Sequence, residues 1–365
     1  MIVYSFYESD ARVRRYAEAL AQRGDEVDVI ALGENASGDF EVMEGVNLYR
    51  IQNRVANERG KLSYLTRIIK FLFRSATILA KWHLRIRYHL IHVHNPPDFL
   101  VFAALIPKLL GARIILDIHD ILPEFYATKF RESQDGFLVK LMKLVEKGSI
   151  ALSNHVIVSN HIWQKTLISR SVGEKKSTVI LNYPNQSLFS RQLRRRKDNK
   201  FIMIYPGTLN WHQGIDIAIK AFARIKDQVP EGELHMYGGG NDQGSFERLA
   251  STLDLHDRVL FKAGVPVEKI AEAMANADLG IEPKRNYGFA NEALSMKILE
   301  YMAAGIPVIA SDTKVHRYYF NDSVLKFFKA GDENDLAESM LLLFKHKDLR
   351  KRFVTSASKF LNGYT

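Results

Sequence analysis

The chain contains no cysteine. Disulfides, thiolate nucleophiles and cysteine-ligated zinc are therefore excluded, and the composition suits a reducing cytoplasm. No Asp-x-Asp and no His-Glu-x-x-His occurs, so the usual carboxylate clamp for a divalent cation on a diphosphate has no candidate, and no metal is expected. No apolar run reaches the ~18 residues that a membrane-spanning helix needs. The opening Met1-Ile-Val-Tyr-Ser-Phe6 lacks a basic leader and runs into Glu8 and Asp10, so a secretory signal is not expected. A last absence is local: Arg59 to Pro97 carries no acidic residue.

With 365 residues, 47% of them apolar, the chain exceeds the roughly 250 to 300 residues at which a single hydrophobic core stops growing, and two cores are expected. The charge is unevenly divided. Residues 1–200 hold 31 Lys+Arg against 20 Asp+Glu, net +11, whereas residues 201–365 hold 20 against 21, net −1. Within the basic half, Lys61, Arg67, Lys70, Arg74, Lys81, Arg85 and Arg87 interleave with Leu65, Ile68, Ile69, Phe71, Leu72, Phe73, Ile78, Leu79, Trp82 and Leu84. This predicts one or two basic amphipathic helices, a pattern that suits an anionic membrane surface at about 1 kcal/mol per basic residue near the lipid. A helix packed on a sheet with a solvated basic face has the same pattern. Nucleic acid is disfavoured as a partner, since no zinc-finger, RRM-type or helix-turn-helix signature accompanies the basic stretch.

Short apolar strands alternate with helical patterns in both halves. Strands are expected at 2–6, 26–31, 46–50, 90–94, 113–117 and 155–159, then at 201–205, 233–237, 259–262, 279–282 and 307–310, with a helix over 215–226 among those between them. A doubly wound α/β pattern thus occurs twice, over 1–190 and 201–365, joined by the turn-rich, charged stretch 191–200. Ligands in such sheets collect at the carboxyl ends of strands. There, Gly207-Thr-Leu-Asn-Trp-His-Gln-Gly214, Gly238-Gly-Gly-Asn241 and Gly264-Val-Pro266 let backbone approach a phosphate or base closely. In the first half, Ile91-His-Val-His94-Asn-Pro-Pro-Asp98 and Asp117-Ile-His119-Asp120 put histidine and carboxylate at strand ends. His119 suits a polar anchor for a ligand hydroxyl, although a strand-end histidine that satisfies backbone groups is about as common.

The densest signal is Asn291-Glu292-Ala-Leu-Ser295-Met-Lys297-Ile-Leu-Glu300-Tyr-Met-Ala-Ala-Gly305. Two glutamates eight positions apart carry little by spacing alone, since Glu18/Glu26, Glu26/Glu34 and Glu124/Glu132 repeat it. Here, however, the pair brackets a helix expected to start near Leu294 and to stop at Gly305. The first-turn N–H groups of residues 293 to 295 would seat a diphosphate. Glu292 stands at the mouth, and Glu300, about two turns deeper, offers a bidentate grip on vicinal hydroxyls. Lys297 shares the face of Glu300. A surface helix with an ordinary Lys–Glu pair is the plain alternative.

Taken together, these motifs resemble those of the family 4 glycosyltransferases of the GT-B fold. The resemblance spans nearly the whole chain. It rests on Glu292 and Glu300 with Tyr301-Met-Ala-Ala-Gly-Ile-Pro-Val308, Tyr205-Pro-Gly207-Thr-Leu with Gly214-Ile-Asp216, Tyr237-Gly-Gly-Gly240, Ile91-His-Val-His94-Asn95 and Asp117-x-His119-Asp120. It implies two Rossmann-like domains facing across a cleft, and metal-independent, retaining transfer from a nucleoside-diphosphate sugar, most commonly UDP, to a saccharide or lipid-linked saccharide. The basic stretch 61–87 would then dock a peripheral, cytoplasmic enzyme on the inner membrane face. By the same resemblance, His119 and Glu292 are catalytic. Gly207, Gln213, Gly238, Gly239, Val265, Asn291, Ala293, Leu294, Ser295, Lys297 and Glu300 bind the donor, and His94 and Asp120 the acceptor. Three departures stand out. Many members hold the diphosphate with a basic pair where this chain has Asn210 and Gln213, so Lys297, with Lys284 or Arg285, is expected to neutralise it. The loop Tyr7-Glu-Ser-Asp10-Ala-Arg12-Val lacks the common glycines, so Asp10 and Arg12 either shape it for an acceptor or Asp10 caps the first helix. Family members also finish with a helix that crosses back to the first domain, and this chain stops at Phe360-Leu-Asn-Gly-Tyr-Thr365, near where that helix is expected. A nucleotide-sugar 2-epimerase and a catalytically inactive partner module share the same architecture.

Overall fold

The computed structural model describes residues 1–34, 39–54, 61–130, 132–191 and 196–363. The chain forms two compact units, Met1–Asn182 and Tyr183–Thr365, dividing ahead of the stretch 191–200. Residues 192–195 of that stretch lie outside the described residues. Arg196 is bound into the second unit, donating to Asp278 Oδ2 at 2.7 Å.

The first unit holds an eight-stranded sheet: β1 (Ile2–Phe6), β2 (Asp28–Gly33), β3 (Asp39–Met43), β4 (Val46–Asn53), β5 (Leu90–His94), β6 (Arg113–Ile118), β7 (His155–Val158) and β8 (Ser177–Val179), in the order β3-β4-β2-β1-β5-β6-β7-β8. Only the β3–β4 pairing is antiparallel. The second unit holds a six-stranded parallel sheet: β9 (Phe201–Pro206), β10 (Gly232–Tyr237), β11 (Val259–Lys262), β12 (Leu279–Glu282), β13 (Val308–Ser311) and β14 (Lys326–Phe328), in the order β11-β10-β9-β12-β13-β14. Every residue of β9 and β12 is buried, because helices cover both faces of a parallel sheet and its central strands read as continuous apolar runs. In the helix Ile215–Ile225 the buried residues include Ile215, Ala218, Ile219, Phe222 and Ile225, the face turned to this core.

In each sheet the strand order reverses once near the middle, between β1 and β5 in the first unit and between β9 and β12 in the second. Crevices for ligands open at such points, beyond the carboxyl ends of the strands. Three strands carried no legible signal. β3 exposes Phe40 and Val42 along an edge, and β8 and β14 have three residues each, too few for a period to show. The basic stretch forms one helix, Lys61–Ile86, uninterrupted by proline or glycine; Arg59 and Gly60 lie outside the described residues. No described helix is long and apolar enough to cross a membrane.

Candidate active site

In the second unit the helix Met296–Ala304 is fastened beneath the switch point by Tyr301. This fully buried side chain donates to the Ile204 and Ile281 carbonyls, at 3.0 and 3.3 Å. Its ring lies where a Cβ on Gly280 would come within 2.5 Å, so the strand must carry glycine there. The helix ends at Gly305, whose φ of 77° is the left-handed conformation of a helix stop.

The start of this helix corrects the sequence reading. It begins at Met296, not near Leu294, because Gly288–Asn291 form a separate 3-10 turn whose Phe289 carbonyl accepts the N–H groups of both Glu292 and Ala293 at 3.1 Å. The Ala293 N–H is therefore spent, and the free donors of a helix start lie further on, from Met296. Ser295 is the N-cap; its side chain makes no capping bond, and its Oγ is buried without a partner among the described residues. The turn places Leu294 between these two elements.

Lys297 rises from the first turn of the helix. Its Nζ lies 3.2 Å from Glu282 Oε2, 4.9 Å above the Tyr205 ring, and 3.5 Å from where a Cβ on Gly207 would stand. Burial, the largest single influence, would lower its pKa, but Glu282, Tyr205 and Glu300 together more than offset it and raise it, so the ammonium stays charged. Each of its two expected helpers has a partner of its own. Lys284 is buried and donates to the Ala293 carbonyl at 2.9 Å. Arg285 grips both oxygens of Asp216, at 2.8 and 2.6 Å, and stacks on Trp211 at 4.3 Å. Both cations hold loops in place.

Glu292 and Asn291 meet a residue that the motif did not single out. Lys314 Nζ lies 2.6 Å from Glu292 Oε1, and its N–H donates to Asn291 Oδ1 at 2.8 Å. Glu300 is half-buried on the Lys297 face of the helix. Gln213 Oε1 is buried with no partner among the described residues. Trp211 and Tyr287 are exposed, with ring centroids 6.4 Å apart; single aromatics in loops leave no periodic trace in a sequence. The loop glycines have a packing reason. A Cβ on Gly238 would lie 2.2 Å from the Gly207 carbonyl oxygen, and the Gly239 carbonyl accepts Leu209 N–H at 3.0 Å. Val265, partly exposed, follows Gly264 beside them.

In the first unit one buried carboxylate organises the switch point. Arg12 donates to Asp117 through Nε and a terminal nitrogen, both at 2.9 Å, and through the other terminal nitrogen to the Ile180 carbonyl and Asn182 Oδ1, both at 2.8 Å. Only 5% exposed, it braces the interior and does not line the loop. Asp10 caps the helix Ala11–Gln22, accepting Val13 N–H at 3.2 Å, and accepts from Ser5 Oγ at 2.9 Å. Around Asp117 Oδ2 stand His94 Nδ1 and His119 Nε2, each at 3.4 Å, and His92 Nε2 at 3.7 Å; His94 Nδ1 is 3.1 Å from His119 Nε2. Burial lowers the pKa of His92, and that of His94 strongly, leaving both neutral. Burial would raise that of Asp117, but the neighbouring imidazoles, His119 first, hold it well below the carboxylate range.

Of the three histidines only His119 reaches the surface, at 16% side-chain exposure. His94, expected to touch an acceptor, is wholly buried behind His119. Asn95 shapes the turn, accepting His119 N–H at 2.6 Å and donating to the Asp120 carbonyl at 2.7 Å. His92, His94 and Asp117 offer ligand atoms within 4.8 Å of one another. A resident cation does not fit them, because the Arg12 guanidinium already covers both Asp117 oxygens and would repel it.

Both halves of the chain match known families. Residues 9–183 fit the profile described as "Glycosyl transferase 4-like domain" and residues 187–360 that of "Glycosyl transferases group 1". The chain is 28% identical over 173 residues to EpsD of Bacillus subtilis, covering 46% of this chain and 44% of that protein. It is 34% identical over 100 residues to a GDP-mannose-dependent phosphatidylinositol monomannoside mannosyltransferase of Mycolicibacterium smegmatis, covering 27% and 26%. The chain thus spans less than half the length of these two relatives. In fold it is similar to Alr3699/HepE of Anabaena, solved with UDP and glucose, with a TM-score of 0.74, 16% identity, and 99% and 94% of the two chains covered. With both halves matched, and two parallel-sheet Rossmann-like units, the chain belongs to the family 4 glycosyltransferases and has the GT-B fold.

Proposed function

We propose that the protein transfers a sugar from a nucleoside diphosphate to a saccharide or lipid-linked saccharide, with retention at the anomeric carbon and without a metal. One observation carries this reading: the charged Lys297 side chain lies against the Gly207 turn, at the start of a helix with no side-chain cap, beside the strand-order reversal. Helix N–H groups and an ammonium together suit a departing diphosphate. Glu300 takes the ribose hydroxyls, Glu292, braced by Lys314, the donor sugar, and His119 a hydroxyl of donor or acceptor. Among the described residues no carboxylate is assigned as an attacking nucleophile, so attack on the same face, assisted by the leaving phosphate, completes the mechanism. The UDP bound to the Anabaena protein favours uridine; the Mycolicibacterium relative makes GDP the alternative.

The acceptor reading draws on the helix Lys61–Ile86. Ile68, Phe71, Leu79 and His83 are buried, while Phe73 and Leu84, 65% and 69% exposed, share the outer surface with Lys70, Lys81, Arg85 and the following Arg87. A face both apolar and basic suits an anionic bilayer, and we assign the protein a peripheral place on the cytoplasmic side.

The test is to incubate the protein with UDP-sugars and GDP-mannose in metal-free buffer, with water standing in as the acceptor of the sugar, and to measure free nucleoside diphosphate. Release that falls on the order of 10²-fold or more in Glu292→Ala and His119→Ala is expected. A 2-epimerase would convert its donor without release, and an inactive module would do neither; release unchanged in both variants overturns the assignment.

A further inference from the structure

Glu282 is the last residue of β12 and is fully buried. Neither of its carboxylate oxygens has an aligned hydrogen-bond donor among the described residues, and the positive charge beside it is Lys297 Nζ at 3.2 Å. A carboxylate in such a place is costly for the fold. Other polar atoms of the second unit are also short of partners: Ser295 Oγ, Ser311 Oγ and His316 Nε2 are buried and unbonded among the described residues. The end of β12 therefore sets a fixed negative charge beside the lysine.

We propose that Glu282 is a positioning residue and a competing counter-ion: it holds the Lys297 ammonium against the Gly207 turn in the empty site and gives it up when a diphosphate arrives. This rests on the reading that Lys297 meets the diphosphate. One ammonium cannot neutralise the carboxylate and two phosphates together. The carboxylate thus keeps the lysine charged and aimed, and it weakens the grip on the nucleoside diphosphate, which must leave after each transfer. It acts through Lys297 and need not touch the ligand.

Calorimetric titration of UDP and GDP into the wild type, Glu282→Gln, Glu282→Met and the double variant Lys297→Ala/Glu282→Gln tests this. Removing the charge while keeping the shape is expected to tighten binding about tenfold in Glu282→Gln, with Glu282→Met moving the same way. A carboxylate that merely supported the fold would leave binding unchanged or weaken it on removal, so either of those results in both single variants overturns the proposal. The double variant separates the two claims while leaving no unpaired buried carboxylate. Weaker binding than in Glu282→Gln keeps Lys297 at the diphosphate, whatever Glu282 does; equal binding removes Lys297 from that role and takes the proposal with it.

Discussion

His316 is wholly buried, with Nδ1 2.8 Å from the Ser311 carbonyl, and burial lowers its pKa from 6.5 to about 4. Its folded pKa lies below its unfolded one, so the stability it provides is complete above pH 6.5 and is lost as pH falls toward 4. Asp98, also buried, runs the other way. Burial raises its pKa to about 7 despite the 2.7 Å bond from Asn95, so its contribution is complete below about pH 4 and is lost as pH rises through 7. Thermal melts across pH 4 to 7 check both: the gain of His316→Asn over wild type grows toward acid, and that of Asp98→Asn toward neutrality. Arg12→Ala leaves the buried Asp117 charge without its guanidinium partner, and a loss of about 3 to 5 kcal/mol is expected in urea unfolding. At this scale the sequence is legible only where partners are near in the chain. Lys297 and Glu300 are three residues apart and share a helix face, but Arg12 finds Asp117 and Lys297 finds Glu282 only through strand order, which no spacing records.

Elements were legible where burial writes a period. β9 and β12 are apolar runs, and the helix Ile215–Ile225 has its stripe; the edge strand β3 is half exposed, and β8 and β14 are too short. The helix bearing Lys297 starts two residues later than expected, since a 3-10 turn and a helix start share the same polar residues. Its anchor is testable. Tyr301→Phe removes the hydroxyl that meets two buried carbonyls and should cost about 1 to 3 kcal/mol in denaturant unfolding. For the helix Lys61–Ile86, flotation with anionic liposomes should recover the wild type and lose Lys70→Gln/Lys81→Gln/Arg85→Gln, about 1 kcal/mol per residue removed. Equal recovery of the two, or no binding by the wild type, would leave the helix a scaffold with a solvated face.

On the scale of the whole chain, composition and alternation announced two α/β units, and the two profiles each cover one of them. The division at Asn182 was not legible, because the charged run further on is the louder signal. Each unit brings candidate site residues to the reversal of its own sheet: a histidine backed by a buried carboxylate in the first, and a lysine at a helix start in the second. The basic excess of the first 200 residues is split between the units, with net +6 in residues 1–182, which carry the Lys61–Ile86 helix, and net +5 in residues 183–200, which open the second unit. A donor site in the second unit is the claim on which the rest depends. Calorimetric binding of UDP, GDP and ADP in metal-free buffer, to the wild type and to Glu300→Ala, tests it most directly. Micromolar binding of one nucleotide, collapsing in the variant, is the expected result; binding of none, or binding untouched by the loss of Glu300, would contradict it.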